Sequence, residues 1–211
     1  MLSSHIASQI YKNFGFDPTP GQKTVVERLS RFIAEAPTDR TFILNGYAGT
    51  GKTTLVAALV RTLEEMGVPA VLLAPTGRAA KVMSRYAGRK AYTIHKKIYR
   101  QKTLASAESH FSLDYNKQKN AVFIVDEASM LSNYSPDGSL FGSGQLLDDL
   151  VTYVRRGAGC RLILVGDTAQ LPPVGLEHSP ALDMQHMQGY GEAEAVLLAD
   201  GLQNRLARVG R

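Results

Sequence analysis

The stretch Gly46-Tyr47-Ala48-Gly49-Thr50-Gly51-Lys52-Thr53 decides the fold of this 211-residue chain. It follows a short apolar run, Thr41 to Leu44, and opens a segment, Lys52 to Met66, whose apolar residues recur at helical spacing. Strand, glycine-rich turn and helix together form the setting in which such a loop cradles phosphates. Glycines allow close backbone approach, and free N–H groups at a helix N-terminus favour negative charge. Gly49, Thr50, Gly51, Lys52, Thr53 and Thr54 are therefore candidate nucleotide-binding residues. Lys52 is expected to reach the β- and γ-phosphates, and the Thr53 hydroxyl to ligate Mg2+. The expected nucleotide is ATP.

Outward from this loop, the apolar runs Ala70 to Ala74, Ala121 to Val125 and Arg161 to Val165 read as further buried strands. Helical patterning over Gly77 to Tyr86 and Gln145 to Arg155 alternates with them. Thr19-Pro20 reads as an N-cap with proline at the first helical position, opening a helix that ends near Pro37. The pattern predicts an α/β protein of the P-loop NTPase class, a doubly wound parallel sheet whose ligands sit at the carboxyl ends of the strands. Two stretches break the alternation. Tyr99 to Asn120, with Phe111, Leu113 and Tyr115 at period two, predicts a small β-hairpin insertion, and the glycines and proline of Ser135 to Gly144 predict a mobile surface loop.

The candidate chemistry falls where strands end. Asp126-Glu127 places two carboxyl groups at the tip of a buried strand, where desolvation calls for a cation. Asp126 is expected to hold Mg2+ through water, and Glu127 to orient or deprotonate an attacking water. Gly166 to Val174 follows the last strand, and Gln170 is the natural reader of the γ-phosphate, since a neutral amide can exchange hydrogen bonds between nucleotide states. Lys52, Asp126, Glu127 and Gln170 make up the expected catalytic set.

Composition narrows the class. The charge of +5 and pI near 9.3 suit a polyanionic partner without requiring one. The lone Cys160 lies in an apolar stretch and reads as a buried small hydrophobe, and the histidines lack zinc-site spacing, so no structural metal is expected. No segment has the pattern of a signal peptide or a membrane span, which predicts a soluble cytoplasmic protein.

Taken in order, the motifs resemble those of superfamily 1 DNA helicases, specifically the 1B group of RecD-like and Dda-like enzymes. Thr19-Pro20-Gly21-Gln22 is similar to their Q motif, Gly46 to Thr53 to motif I, Ala74 to Ala80 to motif Ia, and Thr93-Ile94-His95 to motif Ib. Val125 to Met130 is similar to motif II and Gly166 to Val174 to motif III, so the resemblance spans residues 19 to 180. It implies a RecA-like ATP-binding domain (1A) over residues 1–98 and 121–198, with residues 99–120 as a 1B-like hairpin. It also implies that Gln22 reads adenine and that Thr76, Arg78, Thr93 and His95 line a single-stranded DNA track. These residue types suit a sequence-independent grip on phosphates. As isolated residues, each is more often an ordinary helix cap or surface group. Phe111 either presents its ring to a base or packs on the foot of its own hairpin.

The resemblance ends before a second RecA-like domain, and residues 199–211 form a tail without assignment in which Arg205, Arg208 and Arg211 read as surface charges. The expected function is the ATP-binding motor domain of a 5′–3′ DNA helicase, incomplete as a motor alone and working with a second RecA-like domain or another subunit. The alternative is a nucleotide-dependent DNA- or protein-binding module without helicase activity. A small-molecule phosphotransferase would leave the Gln22, Thr76 and His95 motifs unexplained.

Overall fold

The computed structural model describes residues 2–102, 110–133 and 141–199. Its helices are α1 (Leu2–Phe14), α2 (Pro20–Glu35), α3 (Lys52–Glu65), α4 (Gly77–Ala87), α5 (Ile94–Ile98), α6 (Leu146–Arg155) and α7 (Met184–Gln188). The strands are β1 (Thr41–Gly46), β2 (Ala70–Ala74), β3 (Ala91–Thr93), β4 (Tyr99–Lys102), β5 (His110–Leu113), β6 (Val122–Val125), β7 (Arg161–Gly166) and β8 (Ala193–Leu198).

Six strands form one sheet in the order β3-β2-β6-β7-β1-β8, with every pairing parallel. Both faces are covered, which is why the strands read as continuous apolar runs rather than alternating ones. Successive side chains still point to opposite faces. Phe42, Leu44, Leu72, Ile124 and Val165 join the core beneath α1 to α4. Ile43, Leu73, Phe123 and Leu164 join the core beneath α5, α6 and α7.

The alternation legible in the sequence is present, and the structure adds elements to it. Helix α1 buries Ile6, Ile10 and Phe14, a spacing of four that keeps one stripe against α2 and α3. Strand β8 lies beside β1 from Thr41↔Ala193 to Gly46↔Leu198, so Val196 to Leu198 belong to the sheet, and the tail from residue 200 onward lies outside the described residues. Short β3 completes the other edge next to β2.

The Tyr99 to Asn120 stretch contains the expected hairpin, with β4 and β5 antiparallel from Tyr99↔Leu113 to Lys102↔His110. The expected mobile loop differs in the part described, because residues 141–144 are held. The Phe141 ring stacks on Phe111, and the Ser143 N–H and Oγ both donate to Asp149, at 2.9 Å each. Tyr99 Oη donates to the same carboxylate at 2.7 Å, so Asp149, though buried, is fully paired and ties the hairpin to α6. Residues 135–140 lie outside the described residues.

Helix α1 should be integral to the fold. Ile10 is fully buried, so Ile10→Ala is expected to destabilise the protein by roughly 2–5 kcal/mol. Urea unfolding followed by circular dichroism would measure it.

Candidate functional site

The carboxyl ends of β1, β2, β6 and β7 converge because their registers place Asn45 opposite Gly166, Leu73 opposite Val125, and Val125 opposite Leu164. The phosphate loop leaves β1 at Gly46, where a Cβ would come within 2.9 Å of Thr50 Oγ1 and 3.0 Å of the Leu198 carbonyl. That close approach admits only glycine. Gly51 caps α3 at φ 95°, in the left-handed region that glycine adopts freely.

Helix α2 reaches this loop through Gln22. The Thr19 N–H donates to Gln22 Oε1 at 2.9 Å and the Gln22 N–H donates to Thr19 Oγ1 at 3.2 Å, a complete capping box. The side-chain amide also donates through Nε2 to the Thr50 carbonyl at 3.2 Å. Gln22 is buried and holds the loop as well as the cap, a role its sequence position did not suggest.

Lys52 donates to the carbonyls of Gly46 and Tyr47, the latter at 3.0 Å, and lies 4.0 Å from Asp167. Burial pulls its ammonium pKa below the ordinary lysine value, opposed by Asp167, Asp126 and Glu127. Asp167 is itself buried and accepts the Ala169 N–H at 2.9 Å. Sequence reasoning gave it no role, although its place at the tip of β7 matches that of Asp126 on β6. Asn45 and Thr168 exchange two hydrogen bonds, of 3.0 and 3.1 Å, and clip the end of β1 to the loop after β7.

Asp126 accepts the Glu127 N–H on Oδ1 at 2.9 Å and the Tyr86 hydroxyl on Oδ2 at 2.7 Å. Glu127 has φ 54°, a left-handed conformation that costs a non-glycine residue of order 1–3 kcal/mol. Burial and Asp126 push the Glu127 carboxyl above the usual carboxylate range, while a hydrogen bond from Gln170 and the charge of Lys52 pull it back. Gln170 in turn accepts from Ser129 Oγ at 3.1 Å. The four residues of the expected catalytic set are thus gathered in one place, and Ser129, Asp167 and Tyr86 join them.

The donor set suits a hard divalent cation that arrives with phosphate. Thr53 and Asp126 offer hydroxyl and carboxylate oxygens, and magnesium is commonly held by one or two protein oxygens together with substrate phosphates. Among the described residues no cluster of three or more His, Cys, Asp or Glu side chains would hold a metal by itself.

The residues expected to touch DNA lie on the neighbouring edge. Thr76 caps α4 by accepting the Ala79 N–H at 3.2 Å, and Thr93 caps α5 by accepting the Lys96 N–H at 3.2 Å. Ala74 pairs with Thr93, so both caps open side by side, and neither hydroxyl donates a hydrogen bond among the described residues. Arg78 is exposed on the first turn of α4, and Thr54 is half-buried in the first turn of α3. His95 is packed against Phe141 and Tyr99, with ring centroids 5.1 and 5.7 Å away, and burial lowers its pKa. It is thereby held toward the neutral form, a hydrogen-bonding rather than an ion-pairing group. Of the two alternatives for Phe111, packing is what the structure contains, with its ring 4.6 Å from that of Phe141.

A family model described as an AAA domain matches residues 18–194. The ATP-dependent RecD2 DNA helicase of Deinococcus radiodurans is 32% identical over 160 residues, covering 74% of this chain and 19% of that protein. The ATP-dependent DNA helicase Dda of phage T4 is 33% identical over 165 residues, covering 75% of this chain and 33% of that protein. The crystal structure of Pif1 helicase from Candida albicans is similar in fold, with a TM-score of 0.53 and 17% identity over 88% of this chain and 40% of that one. The chain therefore spans a third or less of the length of the curated relatives it matches.

If Gln22 chiefly braces the loop, Gln22→Ala should weaken ATP and GTP binding alike, by about three- to tenfold for the loss of its hydrogen bonds. Loss of ATP affinity alone, in paired fluorescence titrations, would indicate base reading instead.

Proposed function

Because the chain belongs to the AAA domain family, as a motor domain of the RecD- and Pif1-like superfamily 1B helicases, we propose that it is the ATP-binding lobe of an ATP-dependent 5′–3′ helicase acting on single-stranded DNA. Family membership implies nucleotide binding accompanied by a metal ion, which this reading takes to be ATP and Mg2+. Residues 1–98 and 121–198 are its 1A domain and 99–120 its 1B-like insertion. The reading carries a cytoplasmic location with it, in keeping with Cys160, a buried unpaired thiol. Among the described residues no helix is long and apolar enough to cross a membrane.

One observation carries this reading. Thr76, Arg78, Ala79 and Val82 of the strand-facing helix line the same cleft, of about 250 Å3, as Asp126 and Glu127. A phosphate backbone held at the start of α4 would lie next to the carboxyl groups that act on ATP, so strand binding and hydrolysis would be coupled within one lobe.

Lys52 exchanges its loop carbonyls for the β- and γ-phosphates, which the N–H groups of Gly49 to Thr53 cradle. Thr53 and Asp126 would hold the metal, which would supply positive charge to the phosphate oxygens. Glu127 accepts a proton from the attacking water, and its raised pKa brings it nearer the operating pH that suits a general base. Gln170, held by Ser129 and bonded to Glu127, lies where loss of the γ-phosphate would be felt.

Movement along DNA needs a cleft that opens and closes. Leu171 and Val174, 89% and 86% exposed on the loop after β7, give this lobe an apolar edge for a second RecA-like domain or another subunit. That partner would also bring an arginine to the γ-phosphate.

Steady-state ATPase with and without oligothymidylate tests the function, and stimulation by the strand is the expected result. A flat response, with ATP still altering strand affinity after Glu127→Gln, would favour a binding module over a motor. Lys52→Ala should abolish nucleotide binding. Arg78→Ala should weaken strand binding and reduce the slope of log K against log salt by about 1. Glu127→Gln should lower turnover by about 10²–10⁴-fold. The wild-type rate should fall on the acid side through a pKa above the ordinary glutamate range.

A further inference from the structure

Tyr86 has no part in the motifs of the sequence, yet its hydroxyl is one of the two hydrogen-bond donors to Asp126 among the described residues, at 2.7 Å. The ring is half-buried and packs against the core under α1 to α4, so its position is set by that core rather than by solvent.

The importance of this contact lies in where Tyr86 is attached. It sits on α4, whose first turn carries the Thr76 cap and Arg78, and Val82, one turn before it, lines the cleft shared with Asp126 and Glu127. Eleven residues of helix form a rod about 16 Å long. A small rotation or shift at its strand-facing end therefore moves the tyrosine at the other. Phenylalanine at this position would keep the ring and leave Asp126 Oδ2 without that donor. The second oxygen is tied to the Glu127 N–H, so among the described residues Tyr86 is the donor to the Asp126 carboxylate that comes from another element.

Resting on the motor reading above, we propose that Tyr86 is a positioning residue that joins the strand-gripping helix to the metal-holding carboxylate, so that a nucleic-acid phosphate at the start of α4 sets the orientation of Asp126 and, through it, the affinity for the metal–nucleotide pair. Linkage makes the coupling reciprocal, so metal and nucleotide change strand affinity by the same factor. Partners that orient a metal ligand commonly contribute 10–100-fold to metal affinity.

The test is Tyr86→Phe in the full chain, which keeps the ring and removes the hydroxyl. A fluorescent ATP analogue is titrated with Mg2+, with and without oligothymidylate, which reads binding rather than turnover. In wild type the strand should shift the Mg2+ midpoint. In Y86F the midpoint should rise about tenfold, the strand-induced shift should vanish, and affinity for the analogue in EDTA and the thermal midpoint should stay near wild type. In an Asp126→Asn background, Y86F should add nothing further. A strand that does not move the wild-type midpoint, a Y86F midpoint and shift equal to wild type, or an undiminished Y86F effect in the Asp126→Asn background would each overturn the proposal. Failure of wild type to bind the analogue would instead overturn the motor reading on which it rests.

Discussion

Lys52 stands half-buried at the carboxyl edge of the sheet, with Asp167 at 4.0 Å and Asp126 and Glu127 close enough to act on its charge. One ammonium among three carboxyl groups in a partly desolvated place leaves negative charge in excess, while the loop around it presents N–H groups that suit anions. The two imbalances are complementary. In the proposed reading, a metal ion would supply what the carboxyl groups lack and a triphosphate what the lysine and the loop lack, so the pair would bind together more readily than either alone. The parallel sheet creates this situation, because parallel strands deliver all their carboxyl ends to one edge and the strand order sets β6, β7 and β1 side by side there.

Keeping such an edge ready has a cost, visible in the backbone. Glu127 is held left-handed, and Asp126 receives the N–H of that strained residue. The strain is borne because neighbouring contacts over-determine the turn: Tyr86 on Asp126, and Gln170 between Ser129 and Glu127. The phosphate loop is braced in the same way from two directions, by Gln22 of α2 on Thr50 and by the Asn45–Thr168 clip at the end of β1. These contacts cross between elements, so the site holds its shape through the whole fold rather than through any one loop.

The side proposed to face nucleic acid is built differently. The caps of α4 and α5 offer hydroxyl donors and helix ends, while His95, Tyr99, Phe111 and Phe141 form an aromatic cluster that seats the inserted hairpin on the main domain. Tyr99 and Asp149 complete the seat with a buried, fully paired carboxylate. In the proposed motor, force on the hairpin would therefore pass through His95 to the strand edge. Unlike the proposed nucleotide edge, this region relies on apolar packing around a single carboxylate whose hydrogen bonds are fully paired.

The sequence alone determined the parallel sheet, its strand-ending motifs and the residues of the candidate site, because each depends on spacing within a dozen residues. The apolar run before Gly46, the helical period after Lys52 and the Asp126-Glu127 pair at the tip of an apolar run are all local signals. Helix α1 was not read from the sequence, although Ile6, Ile10 and Phe14 carry its stripe. The tertiary structure alone decided which side chains meet. Tyr86 reaches Asp126 across 40 residues, Gln22 reaches Thr50 across 28, and Phe111 turns its ring to Phe141. Short β3 and the outer β8 have a place only as partners of β2 and β1. Periodicity reports which face of an element is buried, but not what will be packed against it, and that choice appears only once the sheet has brought distant turns to one edge.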